Sequence, residues 1–98
     1  MIVARFRVRC HPAYTDRMSA AIAAVQAPSR RLPGVLHFDV TQSLTDPDEF
    51  VVLEAFTDAD ALDRQNAQTE VAAVLRLVDE GALTEELEWT VWEASPRA

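Results

Sequence analysis

The chain has 98 residues, nine basic side chains against sixteen acidic ones, a formal charge of −7 and an apolar fraction of 49%. That length fits one small domain with a thin core, and the apolar content with only two Gly excludes a disordered or collagen-like chain. The negative charge repels phosphate backbones and argues against a nucleic-acid partner.

Residues 2–10 alternate strictly, with Ile2, Ala4, Phe6, Val8 and Cys10 on one side and Val3, Arg5, Arg7 and Arg9 on the other. Period two over nine residues predicts a strand, ended by His11 and Pro12. Over residues 14–27 the period changes: Tyr14, Met18, Ala21, Ile22 and Val25 fall at helical spacing. Thr15 or Asp16 is placed to cap this helix, and Pro28 to break or kink it before one more turn. Pro33 and Gly34 then mark a turn. Residues 35–43 read as a second strand, with Leu36, Phe38 and Val40 on one side and Val35, His37, Asp39 and Thr41 on the other. A short Asp- and Pro-bearing turn joins it to a third strand over residues 50–57. That strand is apolar on both faces except at Glu54, which predicts a central position.

Asp58 or Asp60 is expected to cap a second helical region whose buried stripe is Ala59, Leu62 and Ala67, then Val71, Val74, Leu75 and Val78 after a break near residues 66–69. Gly81 is its natural C-terminal stop. Residues 83–94 close the chain as a fourth strand with Leu87, Trp89 and Val91 on one side. The order β-α-β-β-α-β predicts a ferredoxin-like split βαβ α+β domain over residues 1–94, with a four-stranded antiparallel sheet and a frayed tail at 95–98. Helices cover one sheet face, and the half-apolar open face points to a homodimer through the sheet, with Trp92 at the contact.

No window approaches 18 apolar residues and the helices carry few cations, so no membrane partner is expected. The arginines of the first strand interrupt any signal-peptide core, and the lone Cys10 suits a reducing compartment, so the expected localisation is cytoplasmic. Glycine-rich phosphate loops, HExxH and paired cysteines are all missing, so neither a cofactor nor a metal is expected. Arg5, Arg7 and Arg9 are expected to pair with Glu86 and Glu88. Cys10 reads as a small core residue, His11 as a strand-end residue, and His37 with Asp39 as an outer-face hydrogen bond. Glu54 shares a face with Phe50, Val52 and Phe56, and a carboxylate buried there needs a partner or a raised pKa.

Three segments carry a resemblance: residues 2–9; residues 33–40, from Pro33 and Gly34 to Val40; and residues 46–63, which combine Asp46, Pro47, Phe50, Glu54, Phe56, Asp58, Ala61 and Leu62 in one register. Together they resemble the antibiotic biosynthesis monooxygenase domain family, over nearly the whole chain. Leu32 stands at an acidic position of the family pattern, Val35 at a cysteine, Phe38 at a tyrosine and Phe56 at a tryptophan. Gln65 and Glu70 stand where the family has histidines, and the first strand lacks the Asn of some members.

The resemblance implies a dimeric α+β barrel and cofactor-independent oxygenation of an aromatic quinol or polyketide-like small molecule. Physically this needs a base or an anion-stabilising donor beside a phenol in an apolar pocket. Gln65 has no proton affinity near neutrality but can donate a hydrogen bond. The expected site is therefore Glu54 and Gln65 as catalytic groups, with Phe6, Phe38, Phe50, Phe56, Asn66 and Trp89 as walls. A non-catalytic small-molecule-binding dimer and a polyketide isomerase or cyclase using acid-base chemistry are the alternatives on the same fold.

Overall fold

A computed structural model describes residues 1–97. In chain order it shows β1 (Ile2–Arg9), a single 3₁₀ turn (Pro12–Tyr14), α1 (Thr15–Arg30), β2 (Val35–Gln42), β3 (Glu49–Phe56), α2 (Ala59–Asn66), α3 (Thr69–Asp79) and β4 (Glu88–Glu93). The strands form one antiparallel sheet in the order β2-β3-β1-β4, so β3 is internal as its two-sided apolar pattern predicts. The expectation of a barrel is corrected here. β2 and β4 are the two edges and do not pair with each other, so the sheet is open. Residues 94–97 take no regular structure, and Ala98 of the expected tail lies outside the described residues.

The core lies between the helices and one sheet face. Val8, Phe38, Phe50 and Val52 meet Met18, Ile22 and Val25 of α1 and Val74 and Leu77 of α3. Each such side chain, fully withdrawn from water, contributes about 1.5–3 kcal/mol. A second cluster of Ala4, Phe56 and Ala61 seats α2 on the sheet.

The structure departs from the sequence pattern at several positions: the fourth strand starts at Glu88 rather than residue 83, with only an isolated Cys10–Leu83 bridge before it, and α3 buries Leu77 in place of Leu75. The cap of α1 is Tyr14, which offers no side-chain bond; the Thr15 hydroxyl instead donates to Asp48 Oδ1 at 2.6 Å. Pro28, by contrast, behaves as its second alternative allowed: it lies inside α1 and the helix runs on to Arg30, with Ala24, whose carbonyl it leaves without a partner, exposed. In β2 a bulge falls between Val35 and His37. It turns Leu36 outward, 47% exposed, and packs Val35 on the core. In α2 the buried residues are Ala61 and Gln65; of the expected stripe, Leu62 is half-buried against the second cluster, while Ala59 and Ala67 are exposed.

Two helix ends, the start of α2 and the stop of α3, are well specified. Asp58 Oδ1 accepts from the Ala61 N–H at 2.9 Å, a side-chain cap of the expected kind. Asp58→Ala is expected to cost about 1 kcal/mol, read as a lower urea midpoint. At the end of α3, Gly81 has φ +94°, with Gly81 N–H donating to Val78 O at 3.0 Å and Ala82 N–H to Leu77 O at 3.1 Å. This is the pair of hydrogen bonds of a Schellman stop.

The open face carries the arginine stripe. Arg5 meets Glu88 at 3.5 Å, Arg7 meets Glu85 at 3.0 Å and Glu49 at 3.2 Å, and Arg9 meets Asp46 at 2.7 Å. Glu86, expected in this set, forms no ion pair among the described residues, and Glu49, Glu85 and Asp46 join Glu88 instead. The Arg9 bond holds the Asp46 carboxyl below its ordinary range, but such partly exposed pairs add little stability.

Candidate active site

Between the sheet and the helices lies a cavity of about 380 Å³, within the range of small-molecule sites, roughly 300–1,000 Å³. Its floor is the helix-facing side of the sheet, with Phe6, Phe38, Val52 and Glu54. Ile22 and Val25 of α1, and Val71, Val74 and Leu75 of α3, make its apolar walls. Gln65 and Asn66 come from the last turn of α2, while Leu87 and Trp89 close the β4 side. Trp89 is 41% exposed and meets Phe6 edge to face, with ring centroids 6.4 Å apart.

Glu54 sits mid-way along β3, paired across the backbone with Ala4 and Phe38. Strand alternation therefore aims it at the helices, and it is only 4% exposed. No hydrogen bond or ion pair forms to its carboxyl among the described residues. Burial alone raises its pKa from 4.5 to about 7, because the apolar surroundings penalise the charged form. Of the two outcomes that burial demanded, a partner or a raised pKa, the structure shows the second.

Gln65 is 1% exposed. The Gln68 side-chain amide lies 2.8 Å from Gln65 Oε1 and 3.1 Å from Ser29 Oγ. The fully buried Ser29 hydroxyl donates in turn to Val25 O at 2.6 Å. Asn66, the next residue, is exposed at the rim. The cavity thus brings together Phe6, Phe38, Glu54, Gln65, Asn66 and Trp89. It does not include Phe50, packed in the main core, or Phe56, packed with Ala4 and Ala61 under α2.

Sequence reasoning placed no site role on Ile22, Val25 or Ser29. The helical stripe of α1 was the available signal for the first two, since a stripe facing a half-filled sheet lines whatever space remains. Ser29 carries no such signal. Outside the cavity, His37 is exposed, and its expected partner Asp39 pairs instead with Arg30 at 3.0 Å. Cys10 is buried, and burial first, then the Asp48 charge, pushes its thiol pKa up, which suits packing over nucleophilic chemistry. No group of three His, Cys, Asp or Glu able to hold a metal occurs among the described residues, nor any helix there long and apolar enough to cross a membrane.

The family model described as antibiotic biosynthesis monooxygenase matches residues 1–77. No curated protein matches the chain. Among solved structures, a putative antibiotic biosynthesis monooxygenase from Nitrosomonas europaea is similar at 21% identity and TM-score 0.86, over 96% of this chain and 98% of that one. Rv0793 from Mycobacterium tuberculosis is similar at 23% identity and TM-score 0.86, over 99% and 97%. A putative antibiotic biosynthesis monooxygenase from Deinococcus radiodurans is similar at 17% identity and the same TM-score, over 100% and 96%. At these identities the likeness is one of fold.

Proposed function

Because the chain belongs to the antibiotic biosynthesis monooxygenase family, we propose that it oxygenates a flat, hydroxylated aromatic molecule, a quinol or polyketide-like ring system, without a cofactor. The observation that carries this reading is the buried, unpartnered Glu54 carboxyl on an otherwise apolar cavity floor, with a pKa of about 7. A base of that strength accepts a phenolic proton at neutral pH and can return it. Deprotonation makes the ring electron-rich enough to reduce dioxygen directly. One oxygen atom ends as a new quinone-type carbonyl, the other leaves as water, and the substrate gives up two hydrogens. Phe6 and Trp89 offer faces and edges for the ring, and the Gln65 amide is placed to hydrogen-bond an oxygen of the substrate. A second copy of the chain would cover the open sheet face, where Leu53 and Trp92 stand exposed.

The test is oxygen uptake by the metal-free protein with anthrone-like and naphthohydroquinone substrates, corrected for autoxidation. Saturable uptake that rises with pH through about 7, as Glu54 becomes charged, is the expected result. Absence of uptake, with Trp89 fluorescence still quenched by the same compounds, would sink the oxygenase reading and favour a binding module or a non-oxidative acid-base enzyme.

A further inference from the structure

We propose that Ser29 and Gln68 are positioning residues that fix Gln65 as a hydrogen-bond donor into the cavity, so that the site selects ligands presenting an acceptor oxygen toward α2. The inference rests on the cavity being the ligand site, but on no step of oxygen chemistry.

The polarity follows from a chain of obligatory choices. A backbone carbonyl only accepts, so the short 2.6 Å contact between Ser29 Oγ and Val25 O uses the single hydroxyl hydrogen. Ser29 is then an acceptor toward Gln68, and the Gln68 group 3.1 Å away must be its NH₂. The second hydrogen of that NH₂ is shared between the Gln65 backbone oxygen at 3.3 Å and, more closely, the Gln65 side chain at 2.8 Å, and an amide nitrogen can only donate. The atom of Gln65 that it meets must be the amide oxygen. An amide orientation ambiguous in isolation is thus settled by its network.

With its oxygen engaged by Gln68, Gln65 has its own NH₂ left over. No protein acceptor takes that NH₂ among the described residues, and Gln65 lines the cavity. The local fold makes this possible. Ser29 lies one turn beyond Val25 in α1, and the extended backbone of Gln68 between α2 and α3 returns its side chain toward both partners. The charged Glu54 accepts from the floor and Gln65 donates from the α2 side. A ligand with a donor hydroxyl at one end and an acceptor oxygen at the other then fits in a single orientation.

Gln68→Glu keeps the size of the side chain but replaces its donor by acceptors, toward which the Ser29 hydroxyl can turn from Val25 O. At pH 8.5 the new carboxylate only accepts, so Gln65 must turn its NH₂ toward it and present oxygen to the cavity. At that pH Glu54 is charged and cannot donate. The probes for equilibrium dialysis are 1-tetralone, which offers one carbonyl acceptor, and indole, which offers one N–H donor. The tetralone dissociation constant should rise about tenfold in Gln68→Glu, the value of one net hydrogen bond, while indole binds as well or better. In Ser29→Ala, which frees Gln68 to turn, tetralone should weaken about threefold and indole should not. Equal weakening of both probes, or unchanged tetralone binding in both variants, overturns the proposal. A parent protein that binds neither probe sinks this inference together with the cavity as a ligand site. Failed oxygen uptake with intact tetralone discrimination sinks only the oxygenase reading.

Discussion

Glu54→Gln is expected to lower oxygen uptake by about 10²–10⁴-fold, the usual worth of a positioned general base, while making the protein more stable in alkali. The two effects share one cause. The carboxyl titrates near 4.5 when solvated and near 7 in the fold, so the folded state binds this proton more tightly than the unfolded chain. Its contribution is undiminished below about pH 4.5, falls as pH rises between the two values, and is fully lost above about 7. The loss corresponds to about 3 kcal/mol. Glutamine keeps the shape and has no charge to bury. Urea midpoints of parent and variant should therefore be similar at pH 4, with the variant clearly ahead at pH 8.5. Equal uptake in the two proteins would remove Glu54 from the chemistry, and a variant less stable at pH 8.5 would show that the carboxylate has a partner.

The largest stability loss is expected at Gly34. Its φ is +83°, and an added Cβ would stand 2.7 Å from both Ala61 Cβ and Thr57 Oγ1. Neither obstacle is the loose end of a long side chain. The turn is also pinned, with Thr57 N–H donating to Gly34 O at 2.8 Å and Arg64 donating to Pro33 O at 3.0 Å. Left-handed strain and overpacking together should cost about 2–4 kcal/mol in Gly34→Ala. Gly81 has a similar φ of +94° but open space around it, so Gly81→Ala should cost only about 1 kcal/mol. Equal losses at the two glycines, measured by urea denaturation, would mean that the close approach of the turn to α2 is not a constraint.

The elements were legible because their signals are local: strict alternation in β1, helical spacing in α1, Asp58 and Gly81 at helix ends. What escaped depended on geometry between elements. One extra residue at the β2 bulge exchanges the inward roles of Val35 and Leu36, and alternation alone cannot announce it. The buried side of α2 follows from the small residue that Gly34 and Thr57 admit, Ala61, which places Gln65 one turn later on the same side. Phe50 and Phe56 share the Glu54 face by parity, yet α1 and α2 cover them while the stretch between stays open. Glu86 lost its expected role to its neighbour Glu85 and to Asp46 and Glu49, from the β2–β3 turn and the start of β3, which reach the same arginines across the sheet. Closure into a barrel came from the family pattern and not from any pairing signal within the chain.

The shortness of α2 has a consequence for ligand entry and retention. Eight residues are too few for a helix to persist on its own propensity. Its order is borrowed from the Asp58 cap, the packing of Ala61 and Leu62, the Arg64 bond to Pro33 O and the Gln65 network. Elements with few tertiary contacts are the ones that open locally before a domain unfolds as a whole. A molecule engaging Gln65 from inside the cavity would add a tether from α2 to the sheet, and mass action would then shift the local opening equilibrium toward the closed form. Binding and ordering would be a single coupled equilibrium: tighter ligands slow the fraying of α2, and changes that loosen α2 shorten the time a ligand stays.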